Sequence, residues 1–201
     1  MSTNEDHEDL QPTNTPGYKP SAAKTVEEYA KLDAEDESLA RWKASLGINA
    51  DAPAAPASGP KITVLTLELQ SSSLPAGKTI KLDVQNNALL ADTKKNPIVI
   101  KEGVEYNVRI TFKVNHSLIT GLRYIQVVKL AGIKVDKLEQ MLGSYSARAE
   151  PYTKDFESEE SPSGMLARSG HYSVKSRVVD DDGATFVFSD WGWSFKLAKE
   201  W

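Results

Sequence analysis

The sequence predicts an all-β fold, an antiparallel sandwich of two sheets that carries an N-terminal, partly disordered helical arm. Three observations predict it. From Lys61 onward apolar and polar residues alternate with a period of two, segment after segment. No helical pattern of any length interrupts them. Ahead of them, DAPAAPASGP at 51–60 sets this region apart from a short, acidic, helical stretch.

The arm comes first in the chain. Residues 1–20 mix Asp, Glu, Asn, Thr and Pro with almost no apolar content, which predicts disorder when free. Thr25 followed by Glu28 is a capping-box pattern for a short helix through Lys31. A second helix follows and ends at Gly47, giving a helical hairpin at about 24–47. Helices this short are marginal in water and need a surface to lie on. In the second one Leu32, Leu39, Trp42 and Leu46 form a thin apolar stripe beside Asp33, Glu35, Asp36 and Glu37. An acidic surface helix with a few packed leucines and a docking element both fit this pattern. The Pro/Ala linker at 51–60 is stiff and extended, and it divides the arm, 1–60, from the sandwich, 61–201.

The strands follow in order. Leu65, Leu67 and Leu69 alternate with Thr66 and Glu68; Ile80, Leu82 and Val84 alternate with Lys81 and Asp83. The longest case runs from Val104 through Tyr106, Val108, Ile110, Phe112 and Val114, a strand with one apolar and one polar face. Residues 122–130, 172–179 and 185–197 also read as strands between Gly, Pro, Asn and Asp punctuation. In the last, Trp191, Trp193, Phe195 and Leu197 share a face. An immunoglobulin-like sandwich without its disulfide is the natural candidate.

Composition narrows the function. The 201 residues are 40% hydrophobic with a mean hydropathy of −0.42, and no run approaches a membrane span. The polar, acidic N-terminus is the opposite of a secretory or transit signal. The absence of cysteine excludes disulfides, thiolate metal sites and cysteine nucleophiles, and a reducing cytoplasm is the simplest location. Residues 1–60 hold 11 acidic and 5 basic side chains, whereas residues 61–201 hold 17 and 19. No basic stripe for nucleic acid is visible. The acidic arm suits a basic protein surface or a solubilising tail.

Chemistry is sparse. His7, His116 and His171 show no metal-ligand spacing. Asp180, Asp181, Asp182 and Gly183 lack the EF-hand pattern and read as a turn between strands or an acidic docking patch. No phosphate-cradling glycine motif and no nucleophile elbow are present, so enzyme function is not expected and no cofactor is called for. The bulky aromatics at one end fit either a packed core or a slot between slightly parted sheets.

Long blocks of the chain resemble the Rho GDP-dissociation inhibitor family. They are YKPSAAKTVEEY (18–29), LDAEDESLARWK (32–43), KEGVEYNVRITFKVN (101–115), TGLRYIQ (120–126), GSYSARAE (143–150), SPSGMLARSGHYSVKSRVVDDD (161–182) and the tryptophan-bearing end strand through Trp201. They occur in the family's order, with its arm, linker and sandwich.

The resemblance implies a soluble inhibitor that binds prenylated Rho-family small GTPases, preferably GDP-bound, as a monomer forming a 1:1 complex. It implies that the sandwich sequesters the geranylgeranyl or farnesyl group and extracts the GTPase from membranes without stable membrane insertion, while the arm blocks GDP release. Carried over by position, Asp36 and Ser38 contact switch I, with Tyr18, Leu39 and Trp42 nearby in the docked arm. Leu67, Phe112, Ile125, Val174, Trp191 and Trp193 form the isoprenoid pocket; either face of the Ile125 strand is compatible with that role. Asp136, Asp181 and Asp182 face the GTPase body, and Glu159 and Glu160 face its polybasic tail. His171 stands where relatives often carry a phosphorylated serine, which puts that control in doubt. Alternatives outside this resemblance are an immunoglobulin-like adaptor with an acidic tail and a generic prenyl-binding solubiliser.

Overall fold

The computed structural model describes residues 9–13, 28, 31–32, 35–45, 59–180 and 187–201. The predicted first helix of the arm, the Pro/Ala linker up to residue 58 and the aspartates at 181 and 182 lie largely or wholly outside them.

Among the described residues, ten strands form two sheets. The first contains β1 (Ile62–Gln70), β2 (Ile80–Asp83), β4 (Glu105–Val114), β7 (Tyr152–Asp155) and the short β8 (Glu159–Glu160). Its order is β2-β1-β4-β7, with β8 also paired to β4. The second contains β3 (Ile98–Lys101), β5 (Leu118–Leu130), β6 (Ile133–Ser146), β9 (His171–Val179) and β10 (Val187–Ala198), in the order β3-β10-β9-β5-β6. All pairs are antiparallel except β10 with β3, which is parallel. Two packed sheets, predominantly antiparallel and with alternating inward residues, make the predicted all-β sandwich.

The alternation in β1 resets partway along. Val64 pairs with Phe112 and Thr66 with Thr111, leaving Leu65 as the extra residue of a bulge. Ile62 and Val64, then Leu67 and Leu69, are buried, whereas Leu65 is only half-buried. A strict period of two had placed Leu65 with Leu67 and Leu69; the bulge turns it away. In β4 the predicted face holds, with Ile110, Phe112 and Val114 fully buried.

Two helices have identifiable causes. Helix α1 spans Glu37–Ser45. The Asp36 carboxylate accepts from the backbone N–H of Ser38 at 2.8 Å and of Leu39 at 3.3 Å, and from the Ser38 hydroxyl at 2.5 Å. These bonds satisfy donors that the first turn leaves unpaired. The same donors hold the Asp36 carboxyl below its ordinary pKa, the Ser38 hydroxyl most strongly. At the other end Lys43 is buried and its ammonium donates to the carbonyl of Leu32, tying the helix to the preceding turn. Helix α2 spans Asn87–Asp92, with the Asn86 side chain accepting from Leu89 N–H at 3.0 Å. Buried Thr93 then donates to Leu90 O at 2.7 Å and accepts from Ser194 N–H at 2.9 Å, which pins α2 against β10.

The composition of residues 1–20 had predicted no docked structure there. Residues 9–13 are nevertheless seated on the outer face of the second sheet. Leu10, 1% exposed, packs there with Ile125, Val127 and Val179.

Candidate functional site

The two sheets are packed solid at one end and parted at the other. At the packed end the inward faces contribute Ile62, Val64, Ile110, Phe112, Val114, Tyr124 and Trp191 to one core cluster. Aromatic contacts close it. Phe112 meets Tyr145 edge-on at 5.0 Å and stacks on Tyr152 at 5.8 Å, and Tyr124 lies 6.1 Å from Trp191. Further along the same strand faces, the residues surround a cavity of about 690 Å³. That volume falls within the range of roughly 300–1,000 Å³ typical of small-molecule sites.

The walls of the cavity continue the core's own alternation. In the first sheet Leu67 and Leu69 come from β1, Ile80 and Leu82 from β2, and Tyr106 and Val108 from β4. From the second sheet come Ile98 and Ile100 of β3, Gln126, Val128 and Leu130 of β5, and Leu138 of β6. Tyr172 of β9 and Trp193 and Phe195 of β10 complete that side, Tyr172 and Phe195 stacking with centroids 4.7 Å apart. Tyr124 marks the border: its hydroxyl donates to Gln126 Oε1 at 2.7 Å and shares a 2.9 Å hydrogen bond with Ser176.

The open side is acidic. Asp136, Glu157, Glu159 and Glu160 all line the cavity and all are exposed. β8 places Glu159 opposite Tyr106 and Glu160 opposite Glu105. Partial desolvation of its carboxylate against the rim pushes Glu159 above its ordinary pKa although the residue as a whole is exposed; the neighbouring Asp136 adds to this and a hydrogen bond from Tyr106 opposes it. Beside these carboxylates Pro162, Leu166 and Ala167 also line the opening, with Met165 and Leu166 more than four-fifths exposed. This segment is anchored from below. The Ser161 hydroxyl donates to Lys101 O at 2.7 Å, and Glu102 accepts from Gly164 N–H at 2.8 Å and pairs with Arg168.

Of the predicted pocket residues, Leu67 and Trp193 line the cavity. Phe112 and Trp191 are inward-facing but belong to the solid core beside it, and Val174, between Val128 and Trp193, packs among the cavity-end residues without lining the cavity. Phe112 and Trp191 sit on the correct strand faces at positions where the sheets are still in contact. Ile125 points to the opposite face, because Gln126, Val128 and Leu130 take the inward positions of β5. The structure therefore places these four side chains outside the cavity lining. Leu69, Ile80, Leu82, Tyr106, Val108 and Phe195 were readable omissions, since each continues an alternation already identified in its strand.

Asp136, Glu159 and Glu160 come together at the mouth, whereas Asp181, Asp182 and Tyr18 lie outside the described residues. Asp36 and Ser38 are exposed and bonded to each other, Leu39 is half-buried, and Trp42 is 45% exposed. The apolar stripe of α1 is thus incompletely covered.

No group of three or more His, Asp or Glu side chains is placed to hold a metal ion among the described residues. Buried His116 bridges Ser117 Oγ and Gly59 O, each at 3.0 Å, a structural role.

Comparison with known proteins agrees with this architecture. The family model described as RHO protein GDP dissociation inhibitor matches residues 2–200. The Rho GDP-dissociation inhibitor of Saccharomyces cerevisiae is 42% identical over 182 residues, covering 89% of this chain and 90% of that protein. Rho GDP-dissociation inhibitor 1 of Homo sapiens is 41% identical over 184 residues, covering 92% and 86%. The Rho GDP-dissociation inhibitor of Schizosaccharomyces pombe is 41% identical over 179 residues, covering 89% and 84%. A match of this extent to the family model and to relatives from yeasts and mammals establishes that the chain belongs to the Rho GDP-dissociation inhibitor family.

Proposed function

We propose that this Rho GDP-dissociation inhibitor carries the prenyl group of a Rho-family GTPase in the cavity between its sheets. The observation that supports this reading is an apolar cavity of about 690 Å³ whose open side bears four carboxylates. A geranylgeranyl or farnesyl chain suits the walls. Burying it recovers about 0.8 kcal/mol per CH₂, comparable to its gain in a bilayer. The acidic mouth suits the polybasic segment beside a prenylated cysteine, standing in for anionic lipid headgroups. Protein and membrane therefore compete near parity for the lipid.

Contacts with the GTPase body shift that balance. Asp36, Ser38, Leu39 and Trp42 of α1, with Tyr18, make up the surface that docks on switch I in this reading. Asp136, Asp181 and Asp182 face the GTPase body, and Glu159 and Glu160 its basic tail. Linking α1 to the cavity through the 51–60 segment raises its effective concentration at the bound partner. Docking of the arm slows GDP release and needs no chemistry by the inhibitor, so the protein acts as a binding regulator. It works in the cytoplasm, as a monomer that forms a 1:1 complex, and prefers the GDP-bound partner.

The test uses a geranylgeranylated Rho-family GTPase loaded with fluorescent GDP on anionic vesicles. The full chain is expected to move the GTPase into the supernatant and slow GDP release. Val128→Trp, which fills the cavity, is expected to abolish extraction. Equal extraction by Val128→Trp would refute the cavity assignment.

A further inference from the structure

The outer face of the second sheet holds a piece of the chain that the proposed function leaves unused. Leu10 is 1% exposed and lies in an apolar cluster with Ile125, Val127 and Val179. Cations surround it. Asp9 pairs with Lys134 at 2.7 Å and with Lys129 at 3.5 Å. Lys137 donates to Gln11 O at 3.1 Å, and Arg123 to Thr13 O at 3.2 Å. Thr13 is held by Glu139, which accepts from its N–H at 3.0 Å and from its hydroxyl at 2.8 Å. Arg123 in turn pairs with Glu139 at 2.7 Å.

The chemistry is complementary at three levels. One leucine fills an apolar site, one hydroxyl meets a carboxylate, and backbone carbonyls and an aspartate meet four cations. Residues 1–13 contain Glu5, Asp6, Glu8 and Asp9 and no lysine or arginine. Strands β5 and β6 offer Arg123, Lys129, Lys134 and Lys137 on this one face. The same two strands line the cavity with their other face through Gln126, Val128, Leu130 and Leu138.

We propose that Asp9–Thr13 is a latch that fastens the free end of the arm to the outer face of β5 and β6. The arm is then tethered at both ends, at Thr13 and again where Gly59 meets His116. Twenty-three residue steps separate Thr13 from Asp36. At up to about 3.3–3.6 Å per residue they leave α1 free to reach the cavity mouth. Fastening both ends removes conformations from the undocked arm and lowers the entropy lost when it docks on the GTPase. The latch thus raises affinity for the GTPase without touching it. This consequence rests on the proposed arm function; the latch itself does not.

The chain has no cysteine, so Gln11→Cys carries a single nitroxide on an exposed position. In the full chain the label is expected to broaden the Ile125, Val127 and Val179 signals, and Leu10→Asp is expected to remove that broadening. Leu10→Asp is then expected to weaken binding of prenylated, GDP-loaded GTPase about fivefold, with no change for geranylgeranylated peptide. As a second variant, Asp9→Lys should release the latch and Asp9→Lys with Lys129→Glu and Lys134→Glu should restore it. No broadening in the parent chain would overturn the latch. Broadening lost in Leu10→Asp with unchanged GTPase affinity would overturn its role. A parent chain that binds no prenylated GTPase would defeat the proposed function instead and leave the broadening result standing.

Discussion

The Tyr106 hydroxyl donates to the Glu159 carboxylate at 3.4 Å, joining the apolar wall of the cavity to its acidic rim. Both residues line the cavity and face each other across the β4–β8 pair. Partial burial raises the pKa of both groups; the Glu159 charge raises Tyr106 further and Asp136 raises Glu159 further, whereas the Tyr106 hydrogen bond only partly offsets the rise at Glu159. The rim therefore holds a carboxylate that is easier to protonate than an ordinary glutamate.

A cationic ligand stabilises the charged form of Glu159, so its binding couples to proton release. As pH falls through a pKa raised above the ordinary 4.5, the free protein takes up a proton that a bound basic tail must expel. Affinity for a prenylated peptide with a polybasic segment is expected to fall with pH, beginning above the ordinary glutamate range. The same peptide with a neutral segment should show a flatter profile. Glu159→Gln should remove part of the dependence, and titration calorimetry at several pH values checks this.

The latch carboxyls are shifted the other way, so acid releases them too, but at lower pH. Lys134 and then Lys129 hold the Asp9 carboxyl below its ordinary 3.8. Burial pushes the Glu139 carboxyl up, but Thr13 and Arg123 outweigh it and hold the group below 4.5, with Lys137 also adjacent. A lowered folded pKa gives stability that is complete above the ordinary value and lost as pH falls through the lowered one. The nitroxide broadening is expected to persist at a pH where Glu159 is already protonated and to vanish only in stronger acid. Loss of both together would contradict this order.

Asp36 serves its own helix in the free protein, which separates two roles that one substitution would merge. Asp36→Ala removes the acceptor for Ser38 and Leu39 and should lower α1 helicity. Asp36→Asn keeps an oxygen there but loses the charge. It is expected to retain α1 chemical shifts while weakening GTPase binding. Full affinity in Asp36→Asn would mean that the partner does not read this charge.

Phe112 tests the distinction between core and cavity. It is fully buried, in aromatic contact with Tyr145 and Tyr152. Phe112→Ala should destabilise the fold by about 3–5 kcal/mol in urea unfolding. Affinity of the remaining folded protein for geranylgeranylated peptide should stay within about twofold. A selective loss of affinity would place Phe112 in the ligand site after all.

Much of this was legible in the sequence because period two states which residues share a sheet face. It showed the faces of β4 and β10, and through them the fold class. It does not state how far apart two facing sheets lie at a given rung. For that reason Trp191 and Trp193 looked equivalent, although one packs on Tyr124 and the other lines the cavity. Local irregularities were equally silent: nothing in LTLEL announces the bulge at Leu65. Strand β6 was missed because much of it is exposed and carries Lys134, Lys137 and Glu139 outward, blurring the alternation. Leu10 was the one large apolar residue in an acidic stretch, a signal masked by the composition around it.

The most direct test is a methyl-resolved NMR titration of the full chain with a geranylgeranylated, polybasic peptide. Saturable shifts are expected at Leu67, Ile100, Val128 and Leu138, which line the cavity, and little change at Val64, Ile110 and Val114 in the packed core. The unprenylated peptide should move none of these methyls. Shifts confined to the outer face at Ile125 and Val127, or none at all, would contradict the cavity assignment.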